Sequence, residues 1–282
     1  KLVLVRLLGG RGHWSYGLEQ LRRWKDGGEG RHLVILAGTD DQNNELHGLG
    51  SISLALADRL AELLREGGVD NLGEVLRALE LLLQEQQPDP TDLQLLPMPD
   101  PAPWDWRDDA GPRIGVVLYR AQLQAGDVSL AKALCMACRE RGLCPRLLWV
   151  SSLRDQAVQA GVIDLLRNQH VELVIAGTAF ASVKTAEAGL GSPLWEQLDV
   201  PVLQLLSSSR SRESWRSSSR GLDPLDLSLQ VVMPELDGRL TTRPCAFREH
   251  QMTAPHLGAA VPSQVADLEG IDWLIEHNQP WI

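Results

Sequence analysis

Two carboxylates one residue apart, Glu235 and Asp237, sit inside Pro234-Glu235-Leu236-Asp237-Gly238. Paired carboxylates can take protons or hold a hard cation. In extended chain, residues two apart point to one side, so the pair would act together. Pro, Asp and Gly also build turns with no chemistry attached, and both readings stand at this point. Just upstream, Ser207–Arg220 holds eight serines and four arginines in fourteen residues. By composition it is a solvated loop. Placed after a buried strand, Arg210, Arg212, Arg216 and Arg220 could converge on an anion, and Trp215 could stack on a flat ring. Here too the loop and the site remain open.

A second cluster lies near the start. Gly9-Gly10-Arg11-Gly12-His13-Trp14 follows a strand and opens a helix. Free helix N–H groups with Arg11 suit a carboxylate or phosphate; a tight connection with a packed Trp explains the same residues. The run is neither a dinucleotide fingerprint nor a phosphate-binding Walker loop, so no bound nucleotide is expected. Cys135-x-x-Cys138 with Cys144 lies at helical positions beside Leu134 and Ala137 and has no second pair, which favours buried structural thiols over a metal or redox motif. His170, His250, His256 and His277 are isolated. No nucleophile elbow and no zinc-protease motif occurs.

Elements must position these residues. Leu2–Leu8 and His32–Ala37 read as strands around a helix, a parallel unit. Ile52–Arg65 and Leu72–Gln86 read as a helical hairpin broken at Gly67-Gly68. Seven of the sixteen prolines fall in residues 88–112, so this stretch is predicted to be an extended linker that Trp104 and Trp106 pin to a neighbouring surface. Beyond it strands alternate with helices: Ile114–Tyr119, Val128–Arg141 capped by Asp127, Arg146–Val150, Asp155–Asn168, Val171–Ala176, Val200–Leu206, and a last strand Leu227–Met233. Continuous apolar strands separated by helices predict a doubly wound parallel sheet. Ligands in such sheets sit beyond the carboxyl ends of the strands, here Tyr119-Arg120, Ser151-Ser152, Gly177-Thr178, Ser207–Ser209 and Pro234-Glu235. The expected organisation is therefore an α/β segment with a helical hairpin over residues 1–87, a linker over 88–112, and a doubly wound α/β domain over 113–282, truncated at its C-terminal end.

At 282 residues and 44% hydrophobic composition the chain can bury a proper core. A net charge of −10 argues against non-specific nucleic-acid binding. No apolar run is long enough for a membrane span. Four cysteines in a chain this size make no disulfide framework, which points to reducing cytoplasm. The first residue is Lys, and the chain is expected to be a piece of a longer protein.

One family shares these pieces in the same order. Val5-Arg6-Leu7-Leu8-Gly9-Gly10 with His13-Trp14-Ser15-Tyr16-Gly17, then Gly38-Thr39-Asp40, Ile114-Gly115-Val116 with Tyr119-Arg120, Ser151-Ser152-Leu153, Asp199–Gln204, Trp215, Arg220-Gly221-Leu222 and Val232–Gly238 together resemble the large, tetrapyrrole-binding subunit of the metal chelatases. The resemblance implies tetrapyrrole binding and metal insertion, with ATP hydrolysed by separate AAA+ partner subunits. It implies Glu235 as the group that relays metal and accepts a proton, with Asp237 and His13 as weaker candidates for the same work. Arg11, Arg120 and Arg220 would face the ring's carboxylates, with His13 and Trp14 beside them. The Gly-Gly-Arg-x-His-Trp-x-Tyr-Gly opening looks more like the cobalt branch, whose substrates would be Co2+ and hydrogenobyrinic acid a,c-diamide; the magnesium branch uses protoporphyrin IX. A corrinoid- or small-ligand-binding module without catalysis is the reading from another class.

Overall fold

The computed structural model describes residues 1–38, 44–108, 110–179, 193–254 and 259–278. Thr39-Asp40, the loop after Val171–Ala176 from residue 180 on, and His256 lie outside the described residues. The chain forms two compact units, Lys1–Met98 and Pro99–Ile282.

In the first unit, β1 (Leu2–Leu7) runs into α1 (Ser15–Asp26) and returns as β2 (His32–Ala37), parallel to β1 with Leu2 opposite His32. A short turn α2 (Asn44–His47) follows, then α3 (Leu54–Glu66) and α4 (Val69–Leu83). Ser53 caps α3 by accepting the Leu56 N–H at 3.2 Å. Gly67, at φ 67, ends the helix where a side chain would be strained. Leu56, Leu60 and Leu63 recur at helical spacing and pack with Val75, Ala78 and Leu82 of α4. The first half of the proline-rich stretch is tied down here. Leu93 is fully buried, Arg59 donates to its carbonyl at 2.7 and 3.0 Å, and Asn71 bonds both the N–H and the carbonyl of Leu96.

The second unit holds β3 (Ala102–Trp104), β4 (Arg113–Tyr119), α5 (Arg120–Gln124), α6 (Ser129–Glu140), β5 (Cys144–Val150), α7 (Gln156–Asn168), β6 (Leu173–Ala176), α8 (Pro193–Leu198) and β7 (Val202–Ser208). After these come α9 (Arg212–Arg216), α10 (Pro224–Leu227), α11 (Met233–Glu235), β8 (Leu240–Ala254), β9 (Ala259–Ala266) and α12 (Leu268–Asn278). Among the described residues the strands make one seven-stranded sheet, ordered β3-β5-β4-β6-β7-β8-β9. The five central strands pair in parallel, and β3 and β9 add antiparallel edges. Val117, Leu148, Val150, Val174 and Val202 point to α7 and α8, where Val158, Val162, Leu166 and Trp195 meet them. By strand alternation their neighbours face the other layer, where α6 contacts β5 and α12. This is the expected doubly wound sheet. Each fully buried aliphatic side chain contributes about 1.5–3 kcal/mol, so the layered core dominates its stability.

The second half of the proline-rich stretch joins this sheet as β3. Trp104 meets Trp149 edge-on at 5.8 Å, and Trp106 donates its indole N–H to the Leu147 carbonyl at 2.9 Å. Two expectations need correction. Leu227–Met233 is helical and not a strand: α10 leads through a π-turn over Ser228–Val232 into α11. Asp223 caps it, accepting the Asp226 N–H at 2.8 Å with Pro224 at the first position, and this start signal outweighs the β-branched Val231-Val232. Asp127 does not cap α6; its carboxylate accepts the Gln264 N–H of β9 at 2.9 Å.

Candidate functional site

Counted from β4, the parallel strands lie in the spatial order second, first, third, fourth, fifth. The chain leaves β4 towards β5 on one side and then crosses to β6 on the other, which opens a crevice at the strand ends. That crevice is present, with a volume of about 290 Å³. Tyr119 from the end of β4, Ser151, Ser152, Leu153 and Arg154 after β5, and Thr178 and Ala179 after β6 line it. The Tyr119 hydroxyl donates to the Ala179 carbonyl at 2.7 Å. Burial pushes the phenol up from its ordinary value, with the nearby Arg239 and Arg154 charges opposing.

Behind the crevice stands Arg239, a residue that sequence reasoning missed. Its Nη1 donates to the Thr178 carbonyl at 2.8 Å, to Thr178 Oγ1 at 3.2 Å and to Gln204 Oε1 at 2.9 Å; its Nη2 donates to Asp237 Oδ2 at 2.9 Å. The guanidinium also lies 5.2 Å from the centre of the Trp195 ring. Burial pulls its pKa down, and Asp237 opposes that. Asp237 is thus committed to an internal ion pair.

Glu235 is different. It ends α11, its side chain is exposed, and its Oε1 accepts the Thr241 hydroxyl at 2.9 Å. Residues two apart on a helical turn point nearly opposite ways, so Glu235 and Asp237 do not share a side as extended chain would require. Around Glu235 in sequence, Leu225, Val232, Leu236 and Leu240 are all exposed apolar residues.

The Arg/Ser segment is mostly self-satisfied. Arg210 donates to the Ser214 hydroxyl at 2.7 Å; Arg212 pairs with Asp267 at 2.5 Å; Arg216 and Arg243 pair with Glu269 at 3.0 and 3.2 Å. Trp215 leans on Phe247 at 5.3 Å. The convergence of these arginines on an external anion is therefore replaced by contacts with α12. Arg220 is exposed in the loop that follows, and Arg120 is half-buried at the end of β4.

In the first unit, Arg11, His13 and Trp14 share one 3-10 turn after β1. Gly9 and Gly10 have φ of 86 and 76, which only glycine adopts readily. Arg11 pairs with Glu45 at 3.2 Å with both side chains exposed. The His13 ring covers Gly9, and the Trp14 ring lies on Gly17, where an added Cβ would come within 1.9 Å of it. Elsewhere in this unit His47 accepts the Ala37 N–H through Nε2 at 3.0 Å, so Nδ1 carries the hydrogen given to Asp58 at 2.8 Å. All four cysteines are buried free thiols, and burial pushes Cys135, Cys138 and Cys245 up to about 12. Among the described residues no three His, Cys, Asp or Glu side chains gather as a metal cluster, so Glu235 and His13 each offer a single ligand. Among the same residues no helix is long and apolar enough to cross a membrane.

The family model described as CobN/Magnesium Chelatase matches residues 61–282. This chain belongs to that family. The aerobic cobaltochelatase subunit CobN of Pseudomonas aeruginosa is 32% identical over 292 residues, covering 100% of this chain and 23% of that protein. The catalytic subunit of cobaltochelatase from Mycobacterium tuberculosis superposes with a TM-score of 0.74 at 28% identity, covering 96% of this chain and 22% of that one. The chloroplastic magnesium-chelatase subunit ChlH of Oryza sativa is 28% identical over 53% of this chain and 11% of its own length. The chain thus spans about a quarter or less of these relatives.

Within this member of the CobN/magnesium chelatase family, Glu235, Asp237, Arg120 and Arg220 fall inside the matched residues, and Arg11, His13 and Trp14 precede them. Sequence reasoning reached most of the crevice, because Tyr119, Ser151, Ser152 and Thr178 are strand ends. It missed Arg154, one residue past the family fragment Ser151-Ser152-Leu153. It missed Arg239 because its partners lie 35 and 61 residues away in sequence, a distance no local pattern reports.

Proposed function

We propose that this chain is the tetrapyrrole-binding part of the large subunit of an ATP-dependent cobaltochelatase, which inserts Co2+ into hydrogenobyrinic acid a,c-diamide in cobalamin biosynthesis. One observation carries the choice of metal: similarity to a cobaltochelatase subunit runs through the whole chain, and similarity to the magnesium-chelatase subunit through about half of it. In this reading ATP is hydrolysed by separate AAA+ subunits, in the reducing cytoplasm, and this chain binds no nucleotide. Insertion must strip water from the cation and take protons from ring nitrogens. Glu235 is exposed and aproned by apolar side chains that suit a flat ring face, so it is the proposed proton acceptor and cobalt relay. Asp237 holds the turn through Arg239 and takes no proton. His13 is a second proposed cobalt donor, with Arg11 and Trp14 beside it. Arg120 and Arg220 are proposed partners of the ring's carboxylates.

The test is ligand titration followed by tryptophan quenching. Hydrogenobyrinic acid a,c-diamide should quench at lower concentration than protoporphyrin IX. The reverse order would move the assignment to the magnesium branch, which the ChlH similarity keeps as the second reading. Quenching by neither would remove tetrapyrrole binding from these residues.

A further inference from the structure

The crevice at the ends of β4, β5 and β6 is too small for a macrocycle. Ligand pockets for whole drug-sized molecules run from about 300 to 1,000 Å³, and this one, at about 290 Å³, fits a single polar group. Its walls select the sign of that group. Ser152 Oγ accepts the Arg154 N–H at 3.2 Å, and Thr178 Oγ1 accepts from Arg239 at 3.2 Å. A hydroxyl whose lone pair is engaged by a donor has its own hydrogen left to give. Tyr119 spends its hydrogen on the Ala179 carbonyl. The Arg154 guanidinium stands at the exposed rim, and the Arg239 charge lies directly behind Thr178. Two hydroxyl donors and a guanidinium therefore converge, and the lining brings no Asp or Glu with it.

We propose that this crevice is a carboxylate-binding site, in which Ser152, Arg154 and Thr178 donate to one carboxylate group of the ligand. Charge-assisted hydrogen bonds from Arg and hydroxyl groups are the strong way to hold a carboxylate. The group is either a small free acid or an acidic arm of a larger ligand; only its assignment to an arm of a macrocycle rests on the chelatase reading.

Saturation-transfer NMR on the 282-residue chain with propionate, and with neutral propionamide as isostere, tests this. Propionate should receive saturation and propionamide should not. Arg154→Gln and Ser152→Ala should each weaken propionate by about tenfold or more, with thermal midpoints near the parent's. Mesoporphyrin IX and its dimethyl ester then separate the sources. Parallel loss of mesoporphyrin IX binding in Arg154→Gln makes the carboxylate a macrocycle arm. Loss of propionate alone makes the crevice a small-acid site, and so does propionate binding by a chain that takes no macrocycle, in which case the chelatase reading fails and this one stands. Equal response to propionate and propionamide, no response to either, or propionate binding unchanged in both variants overturns the proposal.

Discussion

Arg239 and Asp237 form an ion pair at 2.9 Å in which both side chains have no solvent exposure. Taking two charges out of water costs several kcal/mol each and is recovered only with good geometry and further hydrogen bonds. Here Thr178 and Gln204 supply them. The pair joins the start of β8 to the ends of β6 and β7, and so sets where the Glu235 turn sits relative to the crevice.

Removing one partner should therefore be costly. Arg239→Met is expected to destabilise the second unit by about 3–5 kcal/mol, because Asp237 loses the cation that compensates its burial. Urea unfolding measures it. A loss under about 1 kcal/mol would mean that the pair is not what orders this region.

Gly270 is the next test. An added Cβ there would stand 2.1 Å from the Pro244 carbonyl oxygen, in backbone that has no rotamer to yield. Gly270→Ala should cost about 1–3 kcal/mol or more by forcing α12 away from β8. Gly68→Ala, with open space around it but a φ of 84, separates backbone strain from collision. It should cost less, about 1–2 kcal/mol.

Glu269 links stability to pH. The hydrogen bond and charge of Arg243, with Arg216 and Arg212, hold its carboxyl below the ordinary 4.5. A depressed folded pKa gives stability that is present above the unfolded value and lost as pH falls through the lower folded value. Glu269→Gln should thus lower the thermal midpoint at pH 7, and the gap from the parent should close as pH falls below about 4.5. The contribution is modest because the group is exposed. A gap that is constant with pH would assign the effect to packing.

The buried thiols should be inert. Cys135, Cys138 and Cys245, raised to about 12, carry almost no thiolate at pH 8. Thiol-disulfide reagents should titrate them only after unfolding. Fast modification of these three in the folded chain would argue for opening of α6 or β8.

Glu235→Gln, introduced into a full-length relative or into a longer polypeptide that carries this sequence, should reduce metal insertion by about 10²–10⁴-fold with tetrapyrrole affinity unchanged. Chelation at parent rate with binding intact would withdraw the proton-accepting role.

The alternation of apolar strands and amphipathic helices determined the doubly wound sheet, because each strand's burial on both faces is written into its own composition. The same rule placed Tyr119, Ser151, Ser152 and Thr178 at strand ends, and these became the crevice wall. The order of family fragments was legible for the same reason: each is local. Tertiary structure decided what depends on partners far along the chain. Val231-Val232 read as strand until a cap at Asp223 made the segment helical, and that single change separated Glu235 from Asp237. The arginines of Ser207–Arg220 looked ready for an anion until α12 brought Glu269 and Asp267 against them. Arg239 carried no signal at all, since a buried charge is stabilised by groups that only folding brings within hydrogen-bond reach.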